Sequence, residues 1–276
     1  MRLLRWALPA LAMLFFTGCF QTVTLIRLNR DGSGTLEERF LLSNRFADML
    51  RSMRPSDGQG DEAEGGSEPA QAAIPDPQTV DLDKLKARAA AMGSGVELET
   101  AEPLASETGA GYRAVFRFPD INLLELRFDP GESLAEASGE ENTAPEPIRF
   151  RFTRGPAPGL EILLPETGKE PQPPETAAGG GLEDSTLHML RQVYGDMKIR
   201  LALVVDGRIT ESNAAYREGS TVTLLDLDFG LLMQDEEAFR RIAAAQPRGL
   251  EDMASLADGN PALRIQTGRS VLVRFQ

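Results

Sequence analysis

The stretch TVTLIRLNRDGSGTLEERFLL, residues 22–42, decides how the rest of the chain is read. Thr22–Arg30 and Thr35–Leu42 are rich in apolar and β-branched residues, and Asp31-Gly32-Ser33-Gly34 between them supplies the residues of a tight reversal. The expectation is a β-hairpin. Asn29 to Leu36 also imitates the opening of an EF-hand calcium loop, with Gly34 at the turn position. The twelfth position, which needs a bidentate Glu, is Phe40, and the flanks alternate as strands do. The hairpin is the better fit.

Downstream, the same periodicity predicts strands at Val96–Thr100, Tyr112–Phe118, Leu123–Phe128, Ile148–Thr153, Leu160–Leu164 and Ile199–Val205. Asp206-Gly207 reads as a turn and Arg208–Asn213 as the return strand. Ser220–Phe229 and Ser270–Phe275 complete the set. Helices are expected at Ser43–Met53, Val80–Met92, Ser185–Met197, Asp235–Ala245 and Leu250–Leu256. In the second of these, Leu82, Leu85, Ala89 and Met92 share a face and Gly93 stops the helix. Runs of strands with a few helices argue for an α+β fold, a curved antiparallel sheet with packed helices, and against a doubly wound one. In Val222–Phe229 the apolar face switches between Leu224 and Leu225, which predicts a β-bulge or a change of packing layer there.

The first 18 residues read as a secretory signal. Arg2 and Arg5 precede a short apolar run, Ala7 to Phe16, that is too brief for a span of about 20 residues. Phe16-Thr17-Gly18-Cys19 follows, and Cys19 is the single Cys of the chain. Its placement resembles the lipobox of bacterial lipoproteins, in which the Cys thiol receives a diacylglycerol and the signal is cut just before it. Acyl chains hold a protein at a bilayer because each buried methylene adds about 0.8 kcal/mol. Phe20 stands where an Asp would mark inner-membrane retention, so an outer-membrane address follows in a Gram-negative host. Trp6 falls in the signal, and the mature chain, residues 19–276, then has no tryptophan. It is expected to form one α+β envelope domain.

Three stretches, at about 54–79, 129–147 and 165–184, read as long disordered acidic loops. They carry six acidic residues against one basic, six against none and five against one, a net −15. The whole chain of 276 residues is −13, and loss of Arg2 and Arg5 leaves −15. The body outside the loops is therefore charge-balanced. The acidic balance argues against nucleic acid as a partner. One Cys and one His exclude a disulfide framework, a multi-thiolate zinc site and a multi-histidine metal site.

The candidate binding residues are arginines on strand faces. Arg113 and Arg117 alternate with Tyr112, Ala114, Phe116 and Phe118, and Arg149 and Arg151 alternate with Ile148, Phe150 and Phe152. Arg127 and Arg274 fall similarly. On neighbouring strands, Arg113, Arg117, Arg127, Arg149 and Arg151 would form a basic stripe suited to anionic headgroups or glycans. Alternatively they pair across strands with Glu37, Glu97, Glu99 and Glu125, and the comparable number of outward carboxylates favours pairing. Asp226 and Asp228 share a strand face, but no third metal ligand is near them in sequence, and solvated carboxylates are the better reading. His188 lies beside the apolar face of its helix and reads as solvated. No nucleophile elbow, phosphate-binding loop, dinucleotide fingerprint or zinc-protease motif occurs. No metal or cofactor is expected.

Several short segments together resemble a group of bacterial lipoproteins and, more distantly, proteins with an LppM-type domain. They are Cys19, Asp31-Gly32-Ser33-Gly34-Thr35, Ile209–Asn213 followed by Gly219–Thr223, and Gly111–Asn122. The likeness spans about half of the mature chain. It implies an α+β domain with a curved antiparallel sheet in an envelope or lipid-interacting module, and it carries over no catalytic residue. The expectation is a lipid-anchored envelope lipoprotein that binds rather than catalyses, with the membrane and an envelope protein, lipid or glycan as partners. Two narrower readings accompany it: an anionic lipid or glycan binder using the arginine face, and a hydrolase working through two carboxylates distant in sequence.

Overall fold

A computed structural model describes residues 20–44, 47, 80–106, 109–128, 146–165, 191, 195, 197–245, 250–257 and 259–276. The signal segment, Cys19, His188, the three acidic stretches save their outermost residues, and nearly all of the helices expected at 43–53 and 185–197 lie outside that set.

The expected hairpin is present. β1 (Phe20–Leu28) and β2 (Gly34–Ser43) pair antiparallel from Phe20 opposite Leu42 to Leu28 opposite Gly34. The turn closes through Asn29 N–H to the Ser33 carbonyl at 2.8 Å, and Asp31 Oδ1 accepts from the Ser33 amide and hydroxyl at 3.0 and 2.7 Å. Gly32 takes φ 90°, a conformation that side chains with a Cβ avoid. Gly34 leaves room of another kind: a Cβ there would stand against the Arg27 carbonyl and the Phe118 ring.

β3 (Glu97–Ala105) and β4 (Gly109–Phe118) extend this hairpin on the β2 side. On the other side β1 pairs parallel with β8 (Lys198–Val205), which pairs antiparallel with β11 (Thr221–Asp228). β10 (Arg217–Glu218) and β12 (Leu263–Ile265) both pair with β11, completing an eight-stranded sheet in the order β10-β11-β8-β1-β2-β4-β3 with β12 beside β11. A second, five-stranded sheet has the order β5 (Glu125–Leu126), β6 (Ile148–Thr153), β7 (Gly159–Leu163), β13 (Ser270–Phe275), β9 (Ile209–Ser212).

The α+β class is as expected, but the strands form two sheets rather than one. The chain passes between them after β4, β7, β8, β9 and β12. β9 is accordingly not the return strand of β8. The Asp206-Gly207 turn redirects the chain into the second sheet, where β9 pairs with β13. The strand expected at Leu123–Phe128 is reduced to β5, because Asp120 caps a 3-10 turn over Ile121–Leu123 by accepting from the Asn122 amide at 3.0 Å. The bulge expected near Leu224 is present: the pairing of β11 with β8 shifts register between Thr223 and Leu225.

α1 (Leu82–Ala91) is capped by Asp81, whose Oδ1 accepts from the amides of Asp83 and Lys84 at 3.1 and 3.0 Å. Leu85, Ala89 and Met92 are buried as expected, whereas Leu82 is exposed. α2 (Phe229–Gln234), which the sequence reading assigned partly to a strand, starts at an Asp228 cap, and α3 (Glu236–Ala245) and α4 (Leu250–Ala257) match their expected positions.

One hydrophobic cluster joins both sheets. It takes Ile26, Leu36, Phe116, Leu201 and Val222 from the first, and Phe150, Ile162, Val273 and Phe275 from the second. Each sheet thus turns an apolar face inward, and the outer face of the larger one is mixed, with Val23, Leu25, Val115 and Val204 among its charged residues. The edges are protected: β3 carries Pro103 and a bulge after Leu98, while β5, β9 and β10 are only two to four residues long.

Candidate functional site

Cys19, the residue singled out for lipidation, lies outside the described residues, but its chain neighbour does not. Phe20 is already paired in β1, a strand flanked on both sides by β2 and β8. The strand expected from Thr22 would leave Phe20 and Gln21 between it and Cys19. The structure leaves none.

The five candidate arginines are divided. Arg113 and Arg117 sit on the outer face of the eight-stranded sheet. Arg149 and Arg151 sit on the outer face of the five-stranded sheet, and Arg127 follows β5 at its edge. No single stripe joins them. Each has a carboxylate partner: Arg117 Nη2 meets Glu97 at 2.9 Å, Arg149 Nε meets Glu125 at 3.2 Å, and Arg151 Nη1 meets Glu161 at 3.4 Å. Arg127 approaches Glu125 at 3.8 Å, and Arg274 reaches Glu211 at 3.5 Å. Arg113 makes two bonds of 2.8 Å, one to Glu37 and one to Glu102. Glu99, expected as a partner, falls instead at the β3 bulge.

The densest of these arrangements centres on Glu37, which is buried on the outer face and receives Arg39 as well, at 2.6 Å. The hydrogen bond from Arg113 holds its carboxyl down to about 2 from an ordinary 4.5; burial opposes this and the Arg39 bond adds to it. Arg113 is correspondingly raised, chiefly by Glu37. Alternation in Glu37-Glu38-Arg39 placed Arg39 on this face, and that signal was overlooked in the sequence.

A second constellation, also missed, lies on the inner face. Glu38 is buried; its Oε1 accepts from the Tyr112 hydroxyl at 2.9 Å, and its Oε2 meets Arg88 Nε of α1 at 3.3 Å. Tyr112 stacks on Phe40 with centroids 5.7 Å apart. Arg88 on the helix and Glu38 on the strand are fifty residues apart, so no local spacing announces them.

Asp226 and Asp228 are half-buried rather than fully solvated, and each lies beside a cation of β8. Asp228 Oδ2 meets Lys198 at 2.7 Å while its Oδ1 accepts from the Leu231 amide, and Asp226 faces Arg200 at 3.9 Å. Among the described residues no group of three or more His, Cys, Asp or Glu could hold a metal ion. Asp31 is drawn below the usual carboxylate range, first by the Ser33 hydroxyl and then by its amide, as befits a turn.

No protein-family model matches the chain, and no curated protein matches it. Among solved structures, the folded domain of LppM from Mycobacterium tuberculosis, determined by NMR, is a distant likeness. The identity is 12% and the TM-score 0.31, over 95% of this chain and 94% of that one.

Proposed function

We propose that this chain is an envelope lipoprotein, held at a membrane through acyl chains on Cys19, whose α+β domain acts by binding and not by catalysis. The observation that carries this reading is the junction at residues 16–20. A signal-like segment ends at Phe16-Thr17-Gly18-Cys19, and the next residue is already in a central strand. Cleavage before Cys19 would free the folded body at its first residue and leave the thiol as the attachment point. The non-catalytic part rests on the carboxylates. Among the described residues the two buried carboxylates, Glu37 and Glu38, are both engaged by arginines that tie the sheet together, Glu37 by Arg113 and Arg39 and Glu38 by Arg88. This disfavours a two-carboxylate hydrolase built on them. The outer arginines are engaged with carboxylates in both sheets, which disfavours a broad anionic-ligand stripe.

The test is phase partition of the wild-type chain and Cys19→Ala expressed in a Gram-negative host. The wild type is expected in the membrane and detergent-rich fractions, with its N-terminal peptide carrying the mass of a diacylglyceryl cysteine. A Cys19→Ala chain that stays fully membrane-bound would sink the proposal.

A further inference from the structure

Attachment at Cys19, on the reading just given, fixes which end of the body meets the membrane. β1 runs away from Cys19, so the anchored end holds Phe20 and Gln21. Gln21 is opposite Lys198 in parallel β8, and Lys198 is opposite Asp228 in antiparallel β11. The three form one row across adjacent strands, a width of about 10 Å at ordinary strand spacing. β11 leaves the sheet at this row and passes directly into α2.

α2, Phe-Gly-Leu-Leu-Met-Gln, carries no charge. Leu232 and Met233 are buried, Phe229 is half-buried, and Leu231 is 40% exposed. α1 brings a second apolar residue towards the same end. Its Arg88 meets Glu38, which is opposite Thr24 in β1, and Met92 beyond its C-terminus bonds through its carbonyl to Glu125 N–H. β3 then begins at Glu97 opposite Arg117, which is itself opposite Thr35 near the distal turn. The helix therefore runs from the anchored end outward. Leu82, six residues before Arg88 and about 9 Å back along the axis, is 48% exposed. Four large apolar side chains are exposed among the described residues, and Leu82 and Leu231 are two of them.

We infer that Leu231 and Leu82, with Phe229 behind Leu231, rest in the interface of the bilayer that holds Cys19. The occupant follows from the tether. With no residue between Cys19 and β1, acylation would keep this end within reach of the headgroups, and single apolar side chains suffice for contact that the anchor has already localised. Lys198 at this end is occupied by Asp228 at 2.7 Å, so the contact proposed for Leu231 is an apolar one.

The absence of tryptophan from the mature chain allows a direct test. Leu231→Trp, Leu82→Trp and, as a distal control, Leu123→Trp are purified in lipidated form and reconstituted into phosphatidylcholine vesicles with and without brominated acyl chains. The expected result is a blue-shifted emission quenched by the brominated lipid for Leu231→Trp and Leu82→Trp, and neither effect for Leu123→Trp. Vesicle flotation runs beside it. Protein that floats while neither anchored-end tryptophan is quenched overturns this inference alone. Protein that does not float overturns the anchor reading, and the membrane contact with it.

Discussion

Glu37 and Glu38 are adjacent in β2 but are neutralised through opposite faces of the sheet, the first by Arg113 and Arg39, the second by Arg88 and Tyr112. Strand alternation produces this divergence from two identical side chains. Glu38 serves the interior, where it ties α1 to the sheet, and Glu37 serves the outer surface, where it joins β2 to β4.

Removing Glu38 should cost more than its single charge suggests. Glu38→Ala leaves the Tyr112 hydroxyl and the Arg88 guanidinium facing the vacated inner position, a loss of about 2–4 kcal/mol. Tyr112→Phe, which removes one hydrogen bond and keeps the ring on Phe40, should cost about 1 kcal/mol. Urea denaturation measures both. Equal effects would show that the carboxylate is not the centre of the group.

Glu37 gives the fold a defined acid response. Its carboxyl lies at about 2 in the native state against 4.5 ordinarily, so its stabilisation is complete above pH 4.5 and is lost as pH falls towards 2. Allowing for solvent screening at the half-exposed Arg39, the contribution is about 1–2 kcal/mol. Glu37→Gln should therefore be less stable than wild type at pH 6, with the gap narrowing at pH 3. An unchanged gap would mean that Glu37 titrates normally.

Arg113 and Arg117 are two residues of the same type on the same strand face, and they should behave differently. Arg113 bridges Glu37 and Glu102, one of them buried, and Arg113→Ala is expected to lower stability clearly more than Arg117→Ala does, because it strands the Glu37 carboxylate. The pair of Arg117 and Glu97 is about two-thirds exposed on both sides, and Arg117→Ala should cost less than about 0.5 kcal/mol. Paired denaturation curves decide it, and similar losses would contradict the distinction.

Gly34→Ala tests the hairpin. The added methyl would press on the Arg27 carbonyl, which is backbone and cannot swing aside, and on the Phe118 ring. A loss of about 2 kcal/mol or more is expected from overpacking, read as a lowered melting temperature. Gly159→Ala, where nothing lies within 4 Å of the added atom, is the matched control and should be near neutral.

These residues also show how far the sequence could be read. Ile148–Thr153 and Ser270–Phe275 were placed with correct ends, since alternation and flanking polar residues define a strand locally. The bulge at Leu224 was visible as a break in that alternation. Alternation says which way a side chain points but nothing about which strand lies alongside, so β9 was assigned to β8 when it belongs to β13. The parallel pairing of β1 with β8 joins residues 177 positions apart and has no local signature. For the arginines, the availability of carboxylates favoured pairing over a free stripe, and the structure has those pairs. Glu102 replaced Glu99 because the β3 bulge moved the register by one residue.

The central position of β1 has a mechanical side. A pull applied at the N-terminal side of Phe20, directed along the strand, loads the hydrogen bonds to β2 and to β8 together and in shear. Such a load must break two ladders at once, where an edge strand would offer one, and a pull along the strand does not peel them open rung by rung. The residue at which this body would be tethered is therefore also where it best resists being drawn out.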